Sequence, residues 1–260
     1  MTAFNASLFY SGLAAGADVL GGTLVTAQSR WNARFLNGTL ALGCGFMLAA
    51  ALLDIIPAGL DARGQWPPLL ILAGYLLVLA AQRLAAPHPH PAPGVDPHHG
   101  PHHRPHHDLT AQIPTQAGVS ALVGLMVHTF FDGVAIGAAF QVTASLGLLV
   151  FLAVILHKLP EGLALASIIL SAGGGRRQAL GAVGLIGLAT VIGTVLTGTL
   201  AVHYGHYALA VSGGVILYVT ASDLAPEVAR MPGNSPILLM LSGVFLYALS
   251  HHLLRLAGLP

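Results

Sequence analysis

The sequence predicts an all-α membrane protein with eight transmembrane helices. Of its 260 residues, 55% are hydrophobic and only 7% are charged, and the mean hydropathy is +0.78. Soluble domains are far more polar and carry many more charged residues than this. The apolar residues form continuous runs and do not alternate at every second position, which favours helices over a transmembrane β-barrel.

The predicted spans are apolar runs long enough to cross a hydrocarbon core of about 30 Å as a helix. They cover residues 6–26, 37–59, 66–84, 116–140, 144–171, 177–201, 206–228 and 235–257. One polar segment, residues 87–115, divides the chain. Spans one to three therefore occupy residues 1–86, and spans four to eight occupy residues 116–260.

The dividing segment is rich in histidine and proline, which predicts a flexible, solvated loop on the cytoplasmic side. Proline suppresses helix, and the segment has too little apolar content to form a core. Clustered imidazoles bind zinc and similar metals, so we expect weak, exchangeable metal capture near the cytoplasmic opening of the protein. The alternative is a neutral spacer or a fortuitous run of histidines. The histidines predicted to capture metal are His98, His99, His102, His103, His106 and His107.

The arginines predict the orientation. Those after spans one, three, five and seven lie on one side, whereas only Arg63 and Arg255 lie on the other. Because basic residues concentrate on the cytoplasmic side, we expect both termini outside the cytoplasm. No positive region precedes the first apolar run, so span one is expected to be retained. The net charge of +1 says nothing about nucleic acid, and no basic patch supports such a partner, so we expect no nucleic acid and a lipid bilayer as the surroundings.

Spans four and five repeat one pattern, an imidazole and a carboxylate four residues apart. Span four carries His128 and Asp132, and span five carries His157 and Glu161. Four residues make about one helical turn, so each pair lies on one helix face. Two imidazoles and two carboxylates suit a divalent ion of intermediate softness, zinc before iron, manganese, cobalt or cadmium. The alternative is two hydrogen-bonded pairs that lock the spans together.

The same motifs predict an inverted repeat. Spans four and five must run in opposite directions, and so must spans two and seven, which share an Asp-x-x-Pro string at Asp54 and Asp223. Inverted repeats with proline-interrupted helices are typical of transporters, whose sites lie near the membrane midplane. With the orientation above, Asp54 lies near the external end of its span, and Asp223 with Glu227 near the cytoplasmic end. We expect these acids to form a transport path, although they could instead cap helix ends or, for Glu227, pair with Arg230.

Other polar or sulfur-containing residues lie within the spans. Met47 offers a soft sulfur that could join the site, whereas a lone buried cysteine such as Cys44 is usually a packing residue. Lys158 directly follows a ligand histidine and needs a carboxylate or water in the membrane. Asp18 in span one has no evident partner in the sequence.

With these motifs the sequence resembles the ZIP family (Zrt/Irt-like proteins) of divalent-metal transporters, and among them the bacterial members. The resemblance extends over nearly the whole chain. It is carried by the eight spans, the His-rich loop, and the strings His128-x-x-x-Asp132-Gly133, His157-x-x-Pro160-Glu161-Gly162, Gly45-Phe-Met47 to Asp61, and Ser222-Asp223-Leu-Ala-Pro226-Glu227.

The resemblance implies import of Zn²⁺, or of Fe²⁺, Mn²⁺, Co²⁺ or Cd²⁺, across the bacterial inner membrane into the cytoplasm. It also implies a homodimer, a metal contact for Met47, and motion of spans one, four, five and six against the other four. Some members bind a second metal with residues that are here replaced by Thr129, Lys158 and Thr190. We therefore expect one transported ion, with Lys158 beside Thr129 as the substitute for a second.

Two other classes of protein fit parts of the pattern. The same ligands in an intramembrane zinc-dependent hydrolase would hold an activated water. However, the chain lacks a His-Glu-x-x-His string and an evident general base. A structural membrane subunit would bind no metal at all.

Overall fold

The computed structural model describes residues 2–27, 33–85, 115–200 and 204–257. These ranges contain eight helices that are long and apolar enough to cross a membrane, and no strand occurs within them. The predicted fold class, an all-α membrane protein of eight spans, is confirmed. The six loop histidines predicted to capture metal lie outside the described residues.

Six of the spans are single α-helices. Spans one, three, four, five, six and eight are Ala3–Ala27, Pro67–Ala85, Thr115–Val142, Ala144–Ser171, Arg176–Leu200 and Ser235–Leu256. Spans two and seven are each interrupted by a π-helical segment. Span two comprises Ala33–Ala50, the π segment Ala51–Ile55 and Ile56–Leu60; span seven comprises Gly205–Tyr218, the π segment Val219–Leu224 and Ala225–Arg230.

Proline explains the position of both π segments. Pro57 and Pro226 each lie two residues after a π segment ends. A proline has no N–H to donate, and its ring clashes with the carbonyl four residues earlier, which lies inside the π segment. The wider π turn accommodates this clash. The two Asp-x-x-Pro strings thus produce the same backbone feature, with Asp54 and Asp223 inside it.

The spans pack in pairs that an inverted repeat relates. Span one packs against span five and span four against span six, while span two packs against span eight and span three against span seven. If span one is exchanged with span six, two with seven, three with eight and four with five, the same four pairs of spans result. Spans one, four, five and six form one group. It contacts the rest where span two meets span five and where spans three and seven meet span four.

At each of these four helix pairs, one glycine from each helix lies at the point of closest approach. A Cβ on any of them would overlap the backbone of the partner helix, so only glycine permits the approach. The pairs are Gly21 with Gly162, Gly133 with Gly193, Gly45 with Gly243, and Gly74 with Gly214. Two of these glycines, Gly133 and Gly162, are the last residues of the repeated motif. The motif therefore places its carboxylates directly beside a helix crossing.

Candidate metal centre

The four predicted ligands of spans four and five come together inside the helix bundle. One ligand atom from each of His128, Asp132, His157 and Glu161 lies within 4.8 Å of the others, and all four residues are buried. The Asp132 Oδ2 atom lies 3.4 Å from Nε2 of His128 and 3.3 Å from Nε2 of His157. Ligand atoms around a tetrahedral zinc ion are about 3.3–3.4 Å apart, so these spacings match its dimensions.

The backbone of span five orients one of the imidazoles. The Nδ1–H of His157 donates to the carbonyl of Ala153, one turn earlier, over 2.9 Å. In the neutral imidazole this leaves Nε2 without a proton, and Nε2 is the atom that faces Asp132 and Glu161. In metal-binding histidines, the ring nitrogen that does not bind the metal commonly donates to a carbonyl, and this hydrogen bond fixes the tautomer.

Several buried polar atoms of the group have no hydrogen-bond partner among the described residues. They are Nδ1 of His128, Oδ1 of Asp132 and Oε1 of Glu161. A buried carboxylate oxygen without a donor is costly, and a cation would satisfy it. The donor set and its unpaired atoms therefore fit a divalent metal ion.

Lys158 lies at the edge of the same group. Its Nζ atom lies 2.9 Å from Oδ2 of Asp132 and 2.9 Å from Oε2 of Glu161. A third carboxylate, Asp18 of span one, lies 3.6 Å from the same Nζ atom. Asp18 is completely buried. Sequence reasoning assigned it no role, although its position three residues before Gly21 repeats that of Thr190 before Gly193.

The threonines near the group are neutral and bond within their own helices. The hydroxyl of Thr129 donates to the carbonyl of Met126, and that of Thr190 donates to the carbonyl of Ile186. Both threonines are completely buried. They add no charge to the group.

A cavity of about 160 Å³ opens from the ligands toward the side of the membrane where spans three and four are connected. His128, His157 and Glu161 line one end of it, and Glu227 of span seven lines it further out. Asp223 does not line this cavity. Its carboxylate accepts a hydrogen bond from Gln82 of span three over 2.6 Å.

A second cavity, of about 270 Å³, lies on the side of the chain termini and is lined in part by Asp54, Asp61 and His251. The carboxylate of Asp54 accepts a hydrogen bond from the hydroxyl of Tyr247, and Nε2 of His251 lies 4.0 Å from Oδ1. Apolar side chains pack between this cavity and the ligands.

Met47 belongs to this apolar packing. It is buried in a cluster with Val150 and Val154 of span five, while Gly43, one turn earlier, faces His157. The group is therefore accessible from one side and covered by apolar side chains on the other. Cys44 is buried in a separate apolar cluster with Ala41 and Val228, as expected of a packing residue.

Comparison with known proteins identifies the family. The family model for the ZIP zinc transporter matches residues 88–251. The zinc transporter ZupT of Salmonella paratyphi A is 30% identical over 256 residues, which cover 95% of this chain and 96% of that protein. The ZupT proteins of Salmonella newport and Salmonella enteritidis match with the same identity and coverage. This chain belongs to the ZIP zinc transporter family.

Membership in the ZIP family confirms the resemblance noted in the sequence. The chain is a transporter of divalent metal ions and not an enzyme, so the hydrolase alternative is not supported. With eight apolar spans and bacterial relatives, it is an integral protein of the bacterial inner membrane.

Proposed function

We propose that this ZIP protein moves a divalent metal ion, zinc above all, through the group of His128, Asp132, His157 and Glu161 between spans four and five. The observation that carries the proposal is four buried ligand atoms from two spans within 4.8 Å. Their mixed nitrogen and oxygen chemistry suits zinc and extends to Fe²⁺, Mn²⁺, Co²⁺ and Cd²⁺. The relatives are named zinc transporters, which supports zinc as the first substrate.

The proposed direction is inward. The arginine distribution supports a cytoplasmic side at the connection of spans three and four, with both termini outside. The cavity that reaches the ligands opens on that side, so the conformation described here would release its ion to the cytoplasm. Asp54 would serve the external entrance and Glu227 the release route, while Asp223 stays bound to Gln82 of span three. Met47 would approach the ion when the apolar packing rearranges. The His-rich loop would collect ions near the exit.

One ion per protomer is the proposed stoichiometry. The ammonium of Lys158 lies against both ligand carboxylates, where a second cation would otherwise be needed to offset their charge. Thr129 offers only a neutral hydroxyl. All four ligands belong to one chain, so each protomer of the homodimer we propose would carry its own ion.

Zinc uptake into proteoliposomes tests the ligand assignment. Vesicles that contain the full chain and a zinc-sensitive dye should show saturable uptake. The double substitution His128→Ala, Glu161→Ala should abolish it, because it removes one ligand from each span. Ser167→Ala, a change on span five one to two turns beyond the ligands, is the matched control and should transport normally. Full uptake by the double variant would overturn the site.

A further inference from the structure

Asp18 is a buried carboxylate of span one that the proposed ligand set does not include. Both of its oxygens lack a hydrogen-bond partner among the described residues, and its ion-pair partner is the ammonium of Lys158, 3.6 Å away. The helix crossing fixes this position, because a Cβ at Gly162 would overlap the carbonyl of Asp18. The close backbone contact between Gly162 and Asp18 therefore places this carboxylate beside the ammonium of Lys158.

The charges of the group explain what the carboxylate does there. Lys158 lies 2.9 Å from Asp132 and 2.9 Å from Glu161. With both carboxylates ionised beside the ammonium, these three side chains carry a single negative charge. With Asp18 ionised as well, three carboxylates and one ammonium carry two negative charges. Uncompensated charge is costly away from water, and two negative charges match one divalent cation.

The other half of the inverted repeat has no such pair. Thr190 stands where the repeat places Asp18, and Thr129 stands where it places Lys158. Both threonine hydroxyls donate to carbonyls of their own helices. The backbone crossing therefore does not itself require an ion pair, and packing alone does not explain the buried charges on span one and span five.

We infer that Asp18 is a positioning residue of the metal site, which holds Lys158 in place and offsets its charge so that Asp132 and Glu161 can together bind one divalent ion. The inference rests on the proposed function and extends the site to span one. The alternative is an ion pair that only fastens span one to span five.

Equilibrium zinc binding by the purified full chain in detergent tests the inference. The His128→Ala, Glu161→Ala variant gives the background, and binding above that background is assigned to the site. Asp18→Asn leaves one negative charge and should weaken binding by about a hundredfold, given the strength of charge interactions in a buried site. Asp18→Asn combined with Lys158→Met restores two negative charges. This double variant should regain affinity to within about tenfold of the original chain. Thr190→Val, the counterpart change in the other half, should have little effect.

The combined variant distinguishes the two explanations. A pair that only fastens helices would leave the combined variant no better at binding than Asp18→Asn, which would overturn the inference. If Asp18→Asn bound zinc like the original chain while Glu161→Ala did not, the inference would fail and the ligand assignment would stand. If the original chain bound no more zinc than the His128→Ala, Glu161→Ala variant, the proposed function itself would fail. Thermal unfolding of each variant shows that the compared proteins are folded.

Discussion

Asp18 and Thr190 occupy equivalent positions in the inverted repeat of this transporter. Each lies three residues before a crossing glycine, Gly21 or Gly193. A Cβ on either glycine would overlap the partner helix at the backbone two and six residues after the proposed ligand histidine. The two helix crossings are thus built in the same way. The side chains differ, because one half presents a buried acid beside a lysine and the other presents two threonines. The inverted repeat determines the backbone geometry of the crossings, and the side chains that differ between the halves determine the charge beside the metal site.

The crossing at Gly162 is expected to be sensitive to a single methyl group. In Gly162→Ala the new Cβ would meet the backbone of Asp18, so span one must move away from span five. Overpacking of this kind lowers the free energy of unfolding by about 1–3 kcal/mol. The neighbouring Glu161, a proposed ligand, would shift together with Gly162. Thermal unfolding in detergent, with and without zinc, measures both effects.

Gly16→Ala is the matched control for this substitution, since it lies in span one and a Cβ there has no atom within 4 Å. Alanine also has a higher helix propensity than glycine, so the control substitution should leave the free energy of unfolding unchanged or raise it slightly. Equal melting temperatures for the two variants would show that the crossing is not tightly packed.

Much of this fold could be predicted from the sequence because its signals are local. Continuous apolar runs identify the spans, and the Asp-x-x-Pro strings identify where spans two and seven change their helical turn. The four-residue spacing of His128 and Asp132 places them on one helix face in any bundle. The pairing of helices is not local. It depends on glycines such as Gly45 and Gly243, which are 198 positions apart and acquire meaning only once the helices are packed.

The two acids of span seven should behave differently. Glu227 lines the cavity that leads from the ligands, whereas Asp223 is bound to Gln82 of span three. Glu227→Gln should therefore lower the maximal uptake rate while zinc binding at the central site stays within about twofold, because it removes charge from the route and not from the ligands. Asp223→Asn should mainly lower the melting temperature. Uptake kinetics and equilibrium binding on both variants decide this; a normal rate in Glu227→Gln would remove that residue from the path.

The ligand chemistry predicts which ions compete with zinc. Two imidazole nitrogens exclude the all-oxygen shell of six or more ligands that Mg²⁺ and Ca²⁺ prefer, but suit Cd²⁺ and Co²⁺. Zinc uptake should therefore fall in the presence of Cd²⁺ or Co²⁺ at similar concentration and remain unchanged at about a hundredfold excess of Mg²⁺. Inhibition by Mg²⁺ as strong as that by Cd²⁺ would mean that the imidazoles do not bind the transported ion.

The partners of isolated acids could not be predicted from the sequence. Asp18 stood alone in an apolar span, and its partner Lys158 is 140 residues away. Asp54 likewise bonds to Tyr247 of span eight. Neither contact produces a periodic pattern in the sequence, because each is a single side-chain contact between two helices that are distant in the chain.

The hydrogen bond between Tyr247 and Asp54 should stabilise the π segment of span two against span eight. Tyr247 is buried, and its hydroxyl donates directly to the carboxylate, so Tyr247→Phe should lower the free energy of unfolding by about 1–3 kcal/mol. Tyr204→Phe, at an exposed position, should change it by less than about 0.5 kcal/mol.

A double-mutant cycle with Asp54→Ala, which removes the acceptor, separates this hydrogen bond from general packing. Because the two side chains share one bond, the combined variant should lose less stability than the sum of the single variants, with a coupling of about 0.5–3 kcal/mol. Denaturation in mixed micelles measures all four proteins. Strictly additive losses would show that the tyrosine acts through packing alone, and that another contact holds the π segment of span two in place.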